Sequence, residues 1–144
     1  MMFRAPKYGR ALRIIGQNLE GLPVKVFDIK NEGKNYVVKG YGGAFQPVEL
    51  QYTAADIEHV DRQRREMRNN ASGMPDFRSL SQILRAVGDY IERKDGRLLG
   101  ISRQSGAVPL FTIQYEMAQH RHKEEYLASD LYDLCVRMYK QRKN

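Results

Sequence analysis

Eight basic side chains form the clearest group of residues that could bind a charged ligand. They fall near the ends of two predicted helices, one in each half of the chain: Arg62, Arg64, Arg65, Arg68, Arg137, Lys140, Arg142 and Lys143. Lysine and arginine neutralise phosphates, so two such patches could contact a nucleic-acid backbone. Basic residues also favour helix C-termini, because they offset the helix dipole. Both interpretations stay open, and nucleic acid is one expected candidate partner.

Aromatic side chains interleave with basic ones along the predicted strands. Tyr36, Lys39 and Tyr41 illustrate this in the first half, and Phe111 and Tyr115 in the second. Exposed aromatics on a sheet can stack on bases. Aromatic residues in strands more commonly pack in the core or pair across strands. The pattern therefore adds a sheet face to the nucleic-acid hypothesis without favouring it over a structural role.

Two histidines and a nearby glutamate could bind a metal ion. His120 and His122 share one face of a predicted strand, close to Glu124. Imidazole and carboxylate groups are common metal ligands. No third histidine is near, since His59 lies in the other half, and charged residues are typical of an exposed edge strand. We therefore expect no metal site here.

No set of residues resembles a nucleophile with its base and orienting group. Cys135, the only cysteine, lies on an apolar helical stripe, which indicates a buried structural thiol. Gly42 and Gly43 do not form part of a phosphate-binding loop motif. The sequence therefore predicts a non-enzymatic protein, with no catalytic residues and no cofactor.

Length and composition favour one compact soluble protein. The chain has 144 residues, of which 42% are hydrophobic and 28% charged, with a net charge of +7. No segment approaches the roughly 20 apolar residues of a membrane span, and the first residues lack the apolar stretch of a signal peptide. We expect a cytoplasmic protein with no membrane partner, whose charge favours acidic ligands.

Periodicity predicts the elements of two similar halves. In the first half, a helix at 9–20 precedes strands at 24–30, 35–41 and 48–52 and a helix at 53–70. A turn at 31–34, where Gly33 can supply a positive φ, joins the first two strands, and a loop at 42–47 joins the next two. Thr53 with Asp56 resembles a capping box at the start of the second helix. A segment rich in Asn, Ser, Gly and Pro follows. In the second half, a helix at 77–96, with Gly96 as its expected stop, precedes strands at 97–103, 108–117 and 120–126 and a helix at 127–144. Each half reads α-β-β-β-α.

The two halves also share letters at matched positions. The pattern from Leu12 to Glu20 returns between Leu84 and Glu92, with Gly16 and Gly88 in equivalent places, which predicts close helix–helix or helix–sheet packing there. A second match begins at Tyr52 and Tyr126, after nearly the same offset. The sequence thus predicts an α+β fold built by internal duplication, with antiparallel sheets, helices packed on one side and a pseudo-two-fold axis.

The predicted domain boundaries follow from this duplication. The first repeat covers 1–70, a linker covers 71–76 and the second repeat covers 77–144, with both repeats packed as one compact unit. Repeats of this size bury a marginal core alone. Whether they share one continuous sheet stays open at this stage. The α-β-β-β-α order resembles that of double-stranded-RNA-binding domains, but residues 53–56 lack that family's lysine at the helix start, so its function is not carried over.

Two functional hypotheses result. The first is a small basic binding protein that holds nucleic acid through the basic helix ends and a sheet face. The alternative is a protein-interaction or scaffolding module, which could form a homodimer through an exposed strand edge such as 108–117. In both, function is expected where the halves differ.

Overall fold

The computed structural model describes residues 8–33, 35–67, 79–104 and 110–142. This part of the chain contains the helices α1 (Tyr8–Glu20), α2 (Ala54–Met67), α3 (Leu80–Arg93) and α4 (Ala128–Arg142). Its strands are β1 (Lys25–Glu32), β2 (Asn35–Tyr41), β3 (Pro47–Tyr52), β4 (Arg97–Gln104), β5 (Leu110–Met117) and β6 (His120–Leu127). The predicted α+β class and element order are confirmed. None of these helices is both long enough and apolar enough to span a membrane.

The six strands form one antiparallel sheet in the order β3-β2-β1-β4-β5-β6. At its centre β1 pairs with β4, and Ile29 lies opposite Ile101. Each of these two strands shifts register against its other neighbour, at Phe27 in β1 and at Leu99 in β4. Such bulges increase strand twist locally. Because β1 pairs with β4, the sheet is continuous from one half of the chain to the other.

The expectation of an exposed strand edge at 108–117 is wrong for the described part of that segment. β5 is an internal strand, because it pairs with β4 on one side and with β6 on the other. The edges of the sheet are β3 and β6. β6 exposes charged side chains such as Arg121 and Lys123, and charges on an edge discourage the addition of another strand.

Helical stripes and alternating strand residues meet in one hydrophobic core. Leu12 and Ile15 of α1 and Leu84 and Ile91 of α3 are buried there together with Ile113 of β5. The opposite face of the sheet carries exposed polar side chains, among them Lys30, Gln51, Gln114 and Lys123. The helices thus cover one face of the sheet, as the alternation in the strands requires.

Glycines allow α1 and α3 to approach closely. A β-carbon at Gly88 would lie 2.4 Å from the backbone nitrogen of Gly9, and one at Gly16 would lie 2.6 Å from the Cα of Ser81. Both distances are far shorter than van der Waals contact, so a side chain at either position would require the helices to separate. The close packing predicted at Gly16 and Gly88 is confirmed. Since the start of α1 meets the end of α3, the two helices are antiparallel.

Local signals define two of the helix ends. α2 begins with the predicted capping box, in which the Asp56 N–H donates to Thr53 Oγ1 at 3.1 Å and the Thr53 N–H donates to Asp56 Oδ2 at 2.9 Å. At the end of α3, the left-handed residue is Asp95, with φ of 56°, rather than the expected Gly96. The Gly96 N–H instead donates to the carbonyl of Ile91 at 3.0 Å. The chain therefore reverses direction at Asp95, and the predicted stop residue Gly96 comes directly after it.

Candidate binding groove

The structure describes only part of the predicted basic patches. Arg62 on α2 and Arg137 and Lys140 on α4 are exposed. Arg64, Arg65 and Arg142 belong to the same helices, but their side chains are outside the described structure, as are Arg68 and Lys143 entirely. The three described side chains are free to meet a ligand.

The two patches lie at opposite ends of the helical layer. Arg10, near the start of α1, forms an ion pair with Asp61 of α2 at 2.9 Å. Near the start of α3, the carbonyl of Gln82 accepts a hydrogen bond from the Cys135 thiol of α4 at 3.5 Å. The later turns of α2 and α4 therefore lie beside the starts of α1 and α3 respectively. Because α1 and α3 are antiparallel, the structure does not bring the two basic ends together.

Most strand aromatics that could have stacked on bases belong to the core. Tyr36 and Tyr115 are buried, and Phe111 is half-buried. Tyr41 is the exception, with 44% of its surface exposed. Apart from Tyr41, these aromatic residues offer little surface to a flat ligand.

Cys135 is also buried, and this burial raises the pKa of its thiol to about 11.

His122 stacks on Tyr115, with the ring centroids 5.1 Å apart and an angle of 15° between the rings. His120 is exposed two residues away. Within the described ranges, no three His, Cys, Asp or Glu residues are grouped in a way that could hold a metal ion. The side chain of Glu124, which the sequence placed near the histidines, is engaged elsewhere.

Three tyrosine hydroxyls converge on the Glu124 carboxylate. Tyr90 of α3 donates to Oε1 at 3.0 Å, and Tyr115 and Tyr126 donate to Oε2 and Oε1 respectively. Burial alone would raise the pKa of Glu124, but the three hydroxyls, together with the positive charge of Lys94, lower it below its usual value. The cluster ties β6 to β5 and α3. Sequence reasoning missed it, because Tyr90 and Tyr115 belong to other elements and only the fold brings them to Glu124.

A groove opens at the end of the sheet where β1 begins and β2 ends. Its volume is about 640 Å³, within the range of ligand pockets. Its walls come from the α1–β1 connection, the start of β1, the β2–β3 connection and the end of β4. The described residues that line this groove are Leu22, Pro23, Val24, Lys25, Val26, Phe27, Tyr41, Gly42, Gly43, Phe45 and Arg103.

The β2–β3 connection places a phenylalanine on the rim of the groove. The Gly42 N–H donates to the carbonyl of Gln46 at 2.7 Å, which closes a tight loop around a short 3-10 turn at Gly43–Phe45. Ala44 and Phe45 both have left-handed backbone conformations, with φ of 56° and 57°. Phe45 is 87% exposed. A strained backbone that holds a large apolar side chain in water points to a functional constraint.

Aromatic and aliphatic side chains form the body of the groove. The rings of Phe27 and Tyr41 lie 5.0 Å apart at an angle of 32°, and Leu22 is 39% exposed beside them. Phe27 reaches this position because it is the bulged residue of β1. The β1 bulge and the β2–β3 loop thus together create an exposed apolar surface.

A second cavity of about 300 Å³ extends the groove toward the core. It shares Val24–Phe27 and Arg103 with the groove and reaches Leu80 and Leu84 of α3 and Ile101 of β4. Its lining also includes Asp28 and Ser102, but most of it is apolar, so a ligand side chain that passed the rim would meet mainly hydrocarbon. Among the described residues that line the outer groove, the charged side chains are Lys25 and Arg103, and both are basic.

Sequence reasoning identified 42–47 only as a loop. A phenylalanine between two glycines and a proline, without an apolar partner at strand or helix spacing, was the signal that could have drawn attention to Phe45.

In comparisons with protein-family models, with curated proteins and with solved structures, no match to this chain was found.

Proposed function

We propose that this protein is a non-enzymatic binding module that holds a segment of a partner protein in the groove. The observation that carries the proposal is Phe45, an 87% exposed aromatic on a left-handed backbone beside an apolar groove. Exposed apolar surface beside a cavity is typical of an interaction site. Interfaces derive much of their binding energy from a few such aromatic side chains.

A protein segment fits this site better than a small molecule. A small ligand inside the groove would leave the outer side of Phe45 in water. A polypeptide that crosses the rim would bury this ring, and an aromatic ring can bury about 150–250 Å². The accompanying exposure of Tyr41 and Leu22 extends the surface in the same place.

Selection of displayed random peptides tests this proposal. We expect peptides that bind the wild-type protein but not Phe45→Asn, because the variant removes the ring while asparagine tolerates the left-handed backbone. Leu127→Ser is the matched control, since Leu127 is also exposed but lies on the edge strand β6, which contributes no residue to the described lining of the groove or of its inner cavity. If every selected peptide binds Phe45→Asn as well as wild type, the groove is not the binding site.

Nucleic-acid binding is the second candidate function. The net charge of +7 and the exposed Arg62, Arg137 and Lys140 favour it. The separation of the two helix ends means that one nucleic-acid strand would contact a single patch or pass around the molecule. Anisotropy titrations with labelled duplex and single-stranded DNA and RNA at low salt provide the test, since the electrostatic contribution is strongest there. An unchanged signal with all of them would exclude this function.

We also propose that the fold arose by duplication and has a pseudo-two-fold axis. The central residues Ile29 and Ile101 are 72 positions apart, and so are the bulged residues Phe27 and Leu99. Helix contacts support the same offset, because Gly88 with Gly9 and Gly16 with Ser81 are related by it.

Helix capping supports the duplication at the second offset. Leu127 N–H donates to Asp130 Oδ2 at 3.0 Å, as Thr53 N–H does to Asp56 Oδ2 at 2.9 Å, with 74 positions between the pairs. The proposed repeats are 1–70 and 77–144, and the linker at 71–76 lies outside the described residues. Superposition of the halves in an experimental structure tests the proposal. Halves whose strands overlap but whose bulges and caps do not would argue against common origin.

The proposal includes a cytoplasmic location. Its basis is the single cysteine, Cys135, which is a free buried thiol, as is usual for proteins of reducing compartments. Microscopy of a tagged full-length chain in its native host tests this, and secretion into the medium would contradict it.

A further inference from the structure

This inference rests on the proposed function and concerns the chemistry of the partner. We infer that the groove selects an acidic segment, in which a large apolar side chain lies next to one or more carboxylates. The charged residues among the described lining of the outer groove are Lys25 and Arg103, and the one carboxylate nearby, that of Asp28, belongs to the described lining of the inner cavity and not to that of the outer groove. A segment that brings its own carboxylate would complement this charge.

Neither cation is neutralised within the described parts of the chain. Arg103 lies over the ring of Phe111, 5.8 Å from its centroid, and neither it nor Lys25 forms an ion pair there. Other arginines behave differently, since Arg10 and Arg97 are paired with carboxylates at 2.6 and 3.2 Å. The groove therefore keeps two positive charges available for a ligand beside its apolar surface.

The depth of the site determines how large an apolar side chain the segment must carry. Beyond the rim, the inner cavity of about 300 Å³ leads to Leu80, Leu84 and Ile101. A long aliphatic or aromatic side chain would fill this space and release water from apolar walls. A short polar side chain would leave the walls hydrated.

Recognition at this site uses side chains rather than strand addition. The groove lies at the ends of β1, β2 and β4, and β1 and β4 are internal strands whose backbone groups already pair with neighbours. A peptide that extended the sheet would have to bind at β3 or β6 instead. The specificity must therefore come from the apolar walls and the two cations.

The experiment compares peptides selected on the wild-type protein, with counter-selection on Phe45→Asn. We expect the surviving peptides to combine Leu, Ile or Phe with Asp or Glu. A synthetic peptide of this kind should bind Lys25→Gln/Arg103→Gln about tenfold more weakly than wild type, with a smaller salt dependence. Arg121→Gln/Lys123→Gln is the matched control, because it removes the same charge from β6, and it should leave affinity unchanged. Circular dichroism confirms that each variant is folded.

The outcomes separate the two proposals. Peptides that depend on Phe45 but lack an acidic excess, or that bind the double glutamine variant normally, overturn this inference and leave the groove function standing. A selection that yields no Phe45-dependent peptide overturns both. If sedimentation instead detects a dimer that Phe45→Asn abolishes, the occupant is a second copy of the chain, and the acidic segment is overturned.

Discussion

At the level of single residues, the Glu124 carboxylate links three elements through hydroxyl donors. Tyr90, Tyr115 and Tyr126 all donate to it, and burial first, then these hydrogen bonds, raise the pKa of Tyr115 and Tyr126. Hydrogen bonds to a charged acceptor stabilise more than neutral ones. The ionised form of Glu124 is therefore the form that the folded state favours.

Glu124→Gln should weaken the acid sensitivity of the fold. The pKa of Glu124 is lowered from its usual 4.5, so its stabilisation is present above pH 4.5 and is lost as the pH falls through the folded-state pKa. At neutral pH we expect the variant to lose about 1–3 kcal/mol of unfolding free energy. Urea unfolding at several pH values measures this. A wild-type-to-variant difference that stays constant below pH 4.5 would contradict the prediction.

Gly88→Ala should destabilise the protein although alanine favours helices. The new β-carbon would meet backbone atoms of Tyr8 and Gly9 at 2.4–2.6 Å, and backbone cannot move aside as a side chain can. We expect a loss of about 1–3 kcal/mol, as for other overpacked sites. Gly43→Ala serves as control, because its β-carbon would meet no atom within 4 Å. Equal melting temperatures for the two variants would show that the helices separate freely.

Residue-level prediction from sequence succeeded where a signal is local or repeated. Gly16 and Gly88 drew attention because they recur in matched helices, and the Thr53–Asp56 capping box spans one helical turn. Glu124 was grouped with its neighbours in the chain, the histidines, because its tyrosine partners come from three different elements. Phe45 was missed because an exposed loop residue does not belong to the periodic apolar pattern of a helix or strand.

At the level of elements, the β5–β6 hairpin is connected by a turn of unusual composition. Ala118 and Gln119 both have positive φ, at 52° and 67°. Two-residue hairpins require such angles and normally use Asn-Gly or a similar pair. The alternating pattern of β5 and β6 imposes the pairing, and the turn residues accept the strained conformation.

Replacing Ala118 and Gln119 by Asn and Gly should stabilise the protein. The left-handed conformation costs most residues other than Gly and Asn roughly 1 kcal/mol, so the double change should raise the unfolding free energy by about 1–2 kcal/mol. Thermal unfolding followed by circular dichroism measures the gain. A lower melting temperature would indicate that the side chain of Ala118 or Gln119 makes a contact that the turn conformation alone does not explain.

The elements themselves were largely predictable, because amphipathic periods reflect burial on one side. The predicted helix at 77–96 begins and ends near α3, and the first hairpin turns at Gly33 with the expected positive φ of 68°. The edge at 108–117 was predicted wrongly, because the polar segment after it, β6, pairs with β5 and itself forms the edge of the sheet. The alternation along β6 reflects one face turned toward the helices and the other toward solvent.

At the level of the whole molecule, the two halves are held together by shared layers. β1 pairs with β4 across the middle of the sheet, and α1 packs on α3 above them. Both contacts bury residues that each half alone would expose, such as Ile29 and Ile101. The core is therefore a property of the complete chain.

Separate fragments of residues 1–70 and 71–144 should not fold alone. A chain of about 70 residues buries a marginal fraction of its surface, and each fragment would also lose the central pairing. We expect weak, non-cooperative unfolding for each fragment and recovery of cooperative unfolding when they are mixed at equal concentration. Calorimetry measures this. A sharp transition in either isolated fragment would show that the halves are independent domains.

The continuous sheet was not predictable from the sequence. Patterns within one half define which face of each strand is buried, but they do not state which strand of the other half lies beside it. The charge pattern left the arrangement of the basic helix ends open in the same way, because their direction depends on how α1 and α3 cross. Local sequence patterns thus do not indicate which strands and helices of the two halves pack together.

The difference between the two outer hairpins determines the stoichiometry expected if the proposed groove function holds. The first half carries the five-residue connection Gly42–Gln46 with Phe45 at its tip, whereas the second half turns through Ala118 and Gln119 and offers no residue in place of Phe45. A ligand that requires this tip binds once per chain. With a partner that carries two binding segments, the protein should therefore form complexes of two chains to one partner. Titration should end at that ratio without precipitation or network formation.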